Sequence, residues 1–235
     1  MKTKIFFFFT VLCFTGCNDK MLAYESGDLL IIIEPGDSWI HEFNSFVDNS
    51  PQFAVWLTDV DGNYLTTLFV TRKIATEGWI FNKGNRRKEA LPFWSYSRGV
   101  QYSDGLFLPT KKSPLTDGVT GATPKGRFEL KVRPKDLPDQ YIIYVEINHS
   151  TDFNEAFPKD AVKGDFHYSG GEEGSGQPAL VYSAMIDQNS AQVVYDLTLV
   201  GYSQPDGSSG ALYSDISDIT TALDIVKEIK VELVP

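Results

Sequence analysis

The sequence predicts an all-β fold, a single antiparallel β-sandwich over residues 28–235 with two long irregular loops and little helix. Short β-branched or alternating apolar runs recur along the chain, and turn sequences such as Pro35-Gly36 and Asp61-Gly62 separate them. Hydrophobic residues make up 42% of the 235 residues and aromatic residues 13%, so a substantial core can form. An immunoglobulin-like arrangement is one form that this sandwich could take.

The predicted strands follow in order along the chain. The first is the apolar run 29–33, and a hairpin with its turn at 59–63 then joins strands 53–58 and 64–71. Beyond a long loop, five further strands are predicted at 127–132, 141–147, 179–186, 192–202 and 225–233. Strands 179–186 and 192–202 are expected to form a hairpin with its turn around residues 187–190. A single helical turn is predicted at 219–224.

Two stretches lack the strand pattern. In the first, residues 77–125, a short helix is predicted at 86–90, an aromatic loop or strand start at 93–96, and a long loop at 110–125. In the second, residues 152–177, the glycine-rich run 170–176 predicts a mobile or ligand-shaped loop.

The N-terminus carries an export pattern. Lys2 and Lys4 precede an apolar run at 5–14 that is too short for a mature membrane span, so residues 1–16 are predicted to be a cleaved signal. The sequence Phe-Thr-Gly-Cys ending at Cys17 resembles a bacterial lipobox, which implies acylation of Cys17 and a lipid-anchored tether at 17–27. The resemblance implies an extracytosolic, periplasmic protein on the cell envelope, and Asn18 favours the outer membrane. The alternative is an ordinary secretory signal with a chance cysteine.

Charge and cysteine content exclude several classes of function. The chain has 21 Lys and Arg against 31 Asp and Glu, a formal net charge of −10. Such a surface repels nucleic acid and anionic lipid headgroups, so neither is an expected partner. Of the two cysteines, Cys13 lies in the predicted signal, which leaves the mature chain without an internal disulfide or a cysteine-based metal site.

The most informative motif is at 117–124, which reads Asp-Gly-Val-Thr-Gly-Ala-Thr-Pro. It resembles the acceptor loop of substrates of FAD:protein FMN transferase, in which Asp, two variable residues, Ser or Thr, Gly and Ala precede the modified Thr or Ser. The resemblance implies FMN bound covalently to Thr123, with that transferase as a partner. The cofactor-binding residues that it implies are Asp117, Gly118, Thr120, Gly121, Ala122 and Thr123.

Each position of the motif has an expected role. Gly118 and Gly121 are expected to supply positive φ angles and close backbone approach, and Ala122 keeps the acceptor's neighbour small. Thr120 could hydrogen-bond within the turn, and Asp117 could orient the loop or a metal-bound diphosphate. The alternative is a glycine-containing turn before the next strand, with no cofactor.

Several further segments occur in a recognisable order, namely 55–59 with 61–62, 67–73, 89–92 with 94–95, 117–124 and 176–182. In this order they resemble domain-of-unknown-function family 2271, a family of predicted extracytosolic β proteins. Together they cover about residues 50–200. Membership implies an association with flavin transferases and extracytosolic electron transfer, for which a membrane redox partner is expected, and it supplies no established activity.

A bound flavin would need a place for its ring. Trp79, Trp94 and Tyr96 could form an aromatic wall, and three arginines could lie near the phosphate or the reduced ring; these are Arg72, Arg86 and Arg87. The alternative, favoured for each side chain taken singly, is that Trp56 and Trp94 belong to the core and that the arginines are solvated.

Two further groups have simpler interpretations. Asp59, Asp61 and Asn63 imitate the start of a calcium loop, but its twelfth position is Val70 instead of glutamate, so a hairpin turn is predicted.

His149 is followed by Asp152, Asn154 and Glu155, which could provide acid–base chemistry or bind a cation, although a turn with side-chain hydrogen bonds is the favoured interpretation. Glu172 and Glu173 are interpreted as the solvated tip of the glycine-rich loop.

The sequence leaves two functions in competition. The first is a lipid-anchored electron-transfer protein with FMN on Thr123. The second is a cofactor-free β-sandwich module for binding or assembly at the cell envelope, with the loops around 77–125 and 152–177 as its contact surface. A hydrolase has the least support, because no set of nucleophile, base and acid is visible.

Overall fold

The computed structural model describes residues 28–44, 47–79, 84–116, 118–122 and 124–234. The predicted signal and tether lie outside the described residues. Among the residues described, no helix combines the length and the apolar character needed to cross a bilayer.

Most of the regular secondary structure in the described chain is β-structure. In chain order the strands are β1 Asp28–Pro35, β2 His41–Asn44, β3 Val47–Asn49, β4 Gln52–Thr58, β5 Tyr64–Thr71, β6 Val119–Gly121, β7 Phe128–Val132, β8 Gln140–Asn148, β9 Leu180–Asp187, β10 Val194–Asp196, β11 Thr198–Ser203, β12 Leu212–Tyr213 and β13 Val226–Val234. The helices are α1 Arg72–Ala75 and α2 Pro92–Ser97, with 3-10 turns at Gly171–Glu173 and Thr221–Asp224.

The strands form two main sheets and a small ribbon. The four-stranded sheet has the order β10-β13-β1-β7, the seven-stranded sheet has the order β12-β11-β9-β8-β4-β5-β6, and β2 pairs with β3 alone. Neighbouring strands are antiparallel except β5 and β6, which are parallel. The prediction of an all-β sandwich with little helix is confirmed, and an immunoglobulin-like arrangement stays a prediction.

The principal core lies between the two sheets. Leu29, Ile31 and Ile33 of β1 face it from the smaller sheet, because alternate side chains of a strand point to the same face. From the larger sheet, Phe53 packs its ring 5.1 Å from that of Phe69 and edge-on at 4.9 Å to that of Phe128, in centroid distances. The alternating runs of the sequence therefore correspond to this interface.

A second core covers the outer face of the seven-stranded sheet. Trp56 and Val70 face outward from β4 and β5, and Ile74 of α1 and Trp94 of α2 pack on them. Strand β4 is thus buried on both faces over its whole length. This explains its continuous apolar sequence, which is typical of strands covered on two sides.

The predicted helix at 86–90 is wrong, and so is the loop or strand start at 93–96. The helix there is α2, with Pro92 in its first turn, where a missing N–H leaves no donor unsatisfied. Arg87 has a φ of 56° and interrupts any helix before it. Burial of Trp94 in the outer core holds α2 in place.

The predicted strand at 192–202 is two strands in different sheets. β10 pairs with β13 in the smaller sheet, whereas β11 pairs with β9 in the larger one. Leu197 lies between them, and its N–H donates to the Ile229 carbonyl at 2.9 Å. Strands that change sheets in this way form the corners of sandwiches.

The glycine-rich segment predicted as mobile or ligand-shaped is a packed part of the fold. The Ser175 N–H donates to the Ser169 carbonyl at 2.9 Å, and the Ser175 hydroxyl donates to Oδ1 of Asn148 at 2.7 Å. Ser169 and Ser175 are buried, and Glu172 remains exposed, as expected for a tip.

Gly176 is expected to be sensitive to substitution. Its φ is 78°, and a Cβ there would overlap the Asp152 carbonyl and lie 2.7 Å from the Phe153 nitrogen. We expect Gly176→Ala to lower the free energy of unfolding by about 1–3 kcal/mol more than Gly164→Ala, because overpacking adds to backbone strain. Gly164 also has a positive φ, 109°, but has open space around it. Urea unfolding of both variants measures the difference, and equal losses would contradict the close contact.

Candidate functional site

The acceptor-like sequence contributes an edge strand. β6 pairs parallel with β5 in the register Phe69 to Val119, Val70 to Thr120 and Thr71 to Gly121, and it is the last strand of the larger sheet. The predicted long loop at 110–125 therefore contains a short strand.

The six cofactor-binding residues implied by the motif divide into two sets. Asp117 and Thr123 lie outside the described residues. Thr120 and Ala122 are exposed, and Gly118 and Gly121 are partly buried. Thr120 lies within β6 and not in the expected turn.

The two motif glycines provide close approach but not unusual backbone angles. Neither Gly118 nor Gly121 has a positive φ, so that part of the prediction is wrong. A Cβ at position 118 would lie 3.1 Å from Cγ2 of Thr67, and one at position 121 would lie 3.3 Å from Cε2 of Phe69. Both glycines therefore let β6 lie tightly against β5, as close approach predicts.

Ala122 borders a pocket of about 450 Å³, which we call the Ala122 pocket. Its lining residues are Ser50, Gln52, Arg72, Lys73, Thr76, Gly78 and Ala122. Gln52 begins β4, whereas Arg72 and Lys73 form the first turn of α1, directly after β5. The pocket thus lies where β4, α1 and the end of β6 meet.

The charged side chains that the structure describes in this pocket are cations, although the protein has a net charge of −10. Among the described residues, its lining contains Arg72 and Lys73 and no carboxylate. Neither cation forms an ion pair with another of the described residues. Burial lowers the pKa of Lys73, and the nearby charge of Arg87 lowers it further. The pocket is suited to an electronegative ligand.

An unsatisfied acceptor also lines the pocket. Gln52 is only 4% exposed, and its Nε2 donates to the Ser50 carbonyl at 3.3 Å, but its Oε1 has no donor among the described residues. The Thr71 hydroxyl, at the end of β5, is buried and likewise lacks a partner in the described part of the chain. Buried polar atoms without partners are rare, so each requires an explanation.

The predicted aromatic wall is not assembled. Trp94 is fully buried in the outer core, and its Nε1 donates to Oγ1 of Thr67 at 3.0 Å. Tyr96 stacks on Phe107 with centroids 4.2 Å apart, and Trp79 lies beneath the Arg87 guanidinium. The core interpretation of Trp94, and equally of the fully buried Trp56, is confirmed.

The three predicted arginines have different environments. Arg86 forms ion pairs with Glu77, at 3.1 Å, and with Asp104, and Arg87 is buried against Glu89, with Nε and Oε1 2.7 Å apart. Arg72 alone of the three lines the Ala122 pocket. The interpretation of the arginines as solvated is therefore wrong for Arg87.

The side chains of the His149 group have separate partners in the fold. The Nε2 atom of His149 contacts the Ser38 carbonyl at 2.9 Å, and burial lowers the pKa of the ring to about 4, so it is neutral at pH 7. Burial raises the pKa of Asp152, which accepts a hydrogen bond from the Thr221 hydroxyl at 2.6 Å. Asn154 accepts from the Phe157 N–H at 2.7 Å, in agreement with the predicted turn. Among the residues described, no group of three or more possible ligands could hold a metal ion.

The Asp59 turn is confirmed as the hairpin turn between β4 and β5. Oδ1 of Asp59 accepts from the N–H groups of Asp61, at 3.0 Å, and Asn63, at 2.8 Å. Hydrogen bonds from Asn63, its side chain first, lower the pKa of Asp59. The side chains that imitate a calcium loop are thus used within the turn.

Sequence reasoning missed Gln52, Lys73 and Glu146. One sequence feature could have pointed to Gln52, since it is the polar first residue of a mostly apolar strand. The sequence around Glu146 contains little to mark it, because its partners are distant in the chain. They are the N–H groups of Phe93 and Trp94 at the start of α2, at 3.1 and 2.7 Å. Burial raises the pKa of Glu146 to about 7.

No protein-family model, curated protein or solved structure matches the chain. The resemblances to family 2271 and to the FMN-acceptor loop therefore stay predictions, based on the residues that carry them.

Proposed function

We propose that the chain is a lipid-anchored extracytosolic protein that carries FMN on Thr123 and passes electrons between a membrane donor and an extracytosolic acceptor. One observation carries this proposal. The acceptor-like sequence runs along an exposed sheet edge and leads, through Ala122, to a pocket where the charged residues that the structure describes are two cations. The acceptor Thr123 directly follows Ala122 in the sequence.

The attachment needs only a hydroxyl from this chain. Oγ of Thr123 attacks the phosphorus on the FMN side of the FAD diphosphate, and an Oγ–P bond forms. The P–O bond to AMP breaks, AMP leaves, and the hydroxyl proton passes to a base of the transferase. No electrons are exchanged, and the chain needs no nucleophile–base pair of its own.

The edge position suits such a modification. β6 has no further strand beside it in the described sheet, and Ala122 is exposed and small. A transferase can approach a sheet edge more easily than a covered strand, because the edge backbone groups are accessible. The bound FMN would supply the electron-transfer chemistry, and the chain would bind and orient it.

Co-expression with an FAD:protein FMN transferase tests the proposal. We expect the intact mass of the purified protein to increase by one FMN less one water, with visible flavin absorbance. Thr123→Val should abolish both, because it removes the only atom that forms the new bond. Thr198→Val, at an exposed threonine of β11, should leave both unchanged.

A known acceptor protein in the same cells establishes that the transferase is active. Unmodified wild-type chain beside a fully modified acceptor would contradict the proposal.

A second pocket favours the alternative, a cofactor-free binding module. It measures about 690 Å³ and is lined only by loop residues, namely Glu77, Gln101, Tyr102, Ser103, Asp104, Thr110, Lys111, Lys112 and Ser113. Such a polar surface around one tyrosine suits a hydroxyl-rich ligand or a peptide. A colourless, unmodified protein in the experiment above would favour this function.

A further inference from the structure

We infer that the Ala122 pocket holds the pyrimidine edge of the flavin ring system, with Gln52, Arg72 and Lys73 as the groups that bind it. This inference rests on the proposed function and adds a binding site to it. The motif itself concerns the phosphate linkage and specifies nothing about where the ring lies.

The lining supplies the kinds of hydrogen-bonding group that this edge requires. The pyrimidine edge presents two carbonyl oxygens on either side of one N–H, so it requires an acceptor between donors. Oε1 of Gln52 is a buried acceptor without a donor among the described residues. Arg72 and Lys73 are donors in the same lining and have no ion-pair partners among the described residues.

The charge of the pocket matches the same edge. The ring gains electron density on reduction, and the carbonyl oxygens of its pyrimidine edge take up part of it. Two cations stabilise that density, and no carboxylate lies beside them among the described residues.

Size and position are also compatible. About 450 Å³ lies within the range of about 300–1,000 Å³ that ligand pockets occupy. Ala122 is both a lining residue and the neighbour of Thr123, so a group tethered there begins at the pocket's border.

The first experiment uses the flavinylated protein. Arg72→Gln, Lys73→Gln and Gln52→Leu are co-expressed with the transferase, and intact mass establishes that each carries FMN. We expect a lower midpoint potential in the two charge variants, a still lower one in their double variant, and shifted visible bands in Gln52→Leu. Lys227→Gln, at an exposed lysine of β13, should keep the wild-type potential and spectrum.

The outcomes separate the two proposals. Flavinylated variants with the wild-type potential and spectrum would overturn the pocket assignment and leave the attachment to Thr123 intact. A wild-type chain that never acquires FMN would overturn the proposed attachment to Thr123. The second experiment then tests, by itself, whether the Ala122 pocket binds the ring.

The second experiment uses unmodified protein and riboflavin, which has the ring but no phosphate. Quenching of riboflavin fluorescence should report binding that is about tenfold weaker in Gln52→Leu and in Arg72→Gln, as expected for the loss of one strong hydrogen bond. Inorganic phosphate should not compete. Competition by phosphate, or no riboflavin binding by wild-type protein, would show that the pocket does not recognise the ring and would overturn the inference.

Discussion

Replacement of Glu89 by alanine is expected to lower the free energy of unfolding by about 3–5 kcal/mol, because it leaves a buried guanidinium without its counter-charge. Arg87 and Glu89 are 4% and 1% exposed, and Nε of Arg87 lies 2.7 Å from Oε1 of Glu89. The face of Trp79, 4.8 Å from the Arg87 guanidinium, cannot replace a carboxylate. Urea unfolding followed by far-UV circular dichroism measures the loss.

An exposed ion pair provides the matched control. Arg127 lies 2.8 Å from both Glu34 and Glu129, and half of its side chain is exposed, so Arg127→Gln should cost at most about 1 kcal/mol. The double variant Arg87→Ala with Glu89→Ala should be more stable than Glu89→Ala alone, since no unpaired charge remains. A cost for Glu89→Ala no greater than that of Arg127→Gln would show that the pair is not buried as described.

Glu146 is expected to make the protein less stable as the pH rises from about 4.5 to about 7. Burial raises its pKa from 4.5 to about 7, although the N–H groups of Trp94 and Phe93 oppose this shift. Between these two pH values the folded state binds more protons at Glu146 than the unfolded state does. The contribution of Glu146 to stability is therefore fully present below pH 4.5 and is lost as the pH rises to about 7. The change amounts to about 3 kcal/mol, from about 1.4 kcal/mol per pH unit.

Comparison with Glu146→Gln isolates this contribution. His149 acts in the opposite direction, because burial lowers its pKa from 6.5 to about 4 and stability then rises with pH across that window. The difference in unfolding free energy between wild type and Glu146→Gln cancels the His149 contribution and should shift against wild type as pH rises. The same difference for Glu129→Gln, at an exposed position of β7, should change little. A pH-independent difference for Glu146→Gln would contradict a raised pKa.

The elements that the sequence could predict are those determined by neighbouring residues. The hairpin of β4 and β5 depends on Asp59, whose carboxylate accepts hydrogen bonds from residues two and four positions along. The strands β1, β7, β8 and β13 carry alternating or continuous apolar residues, and one buried face is enough to fix that pattern.

The features that could not be predicted depend on residues far apart in the chain. Glu146 holds the start of α2 from a position 52 residues beyond Trp94, so no local signal placed a helix after Leu91. The apolar pattern continues through Leu197, and only the choice of partner strand reveals the change of sheet.

In the candidate site, too, only the part formed by neighbouring residues could be predicted. The motif at 117–124 drew attention to Ala122, but the pocket beside it also needs Gln52 from β4 and Arg72 from α1. Those residues meet only because β4, β5 and β6 are neighbours in one sheet.

The pairing of the first strand with the last has a consequence for biogenesis. β1 lies between β7 and β13, with Ile31 opposite Val231, about as far apart in sequence as the described chain allows. During synthesis the smaller sheet cannot close until β13 has left the ribosome. Contacts of such long sequence separation also slow folding, because a large loop must be ordered first. We therefore expect the smaller sheet to form late in folding, only after β13 has been synthesised.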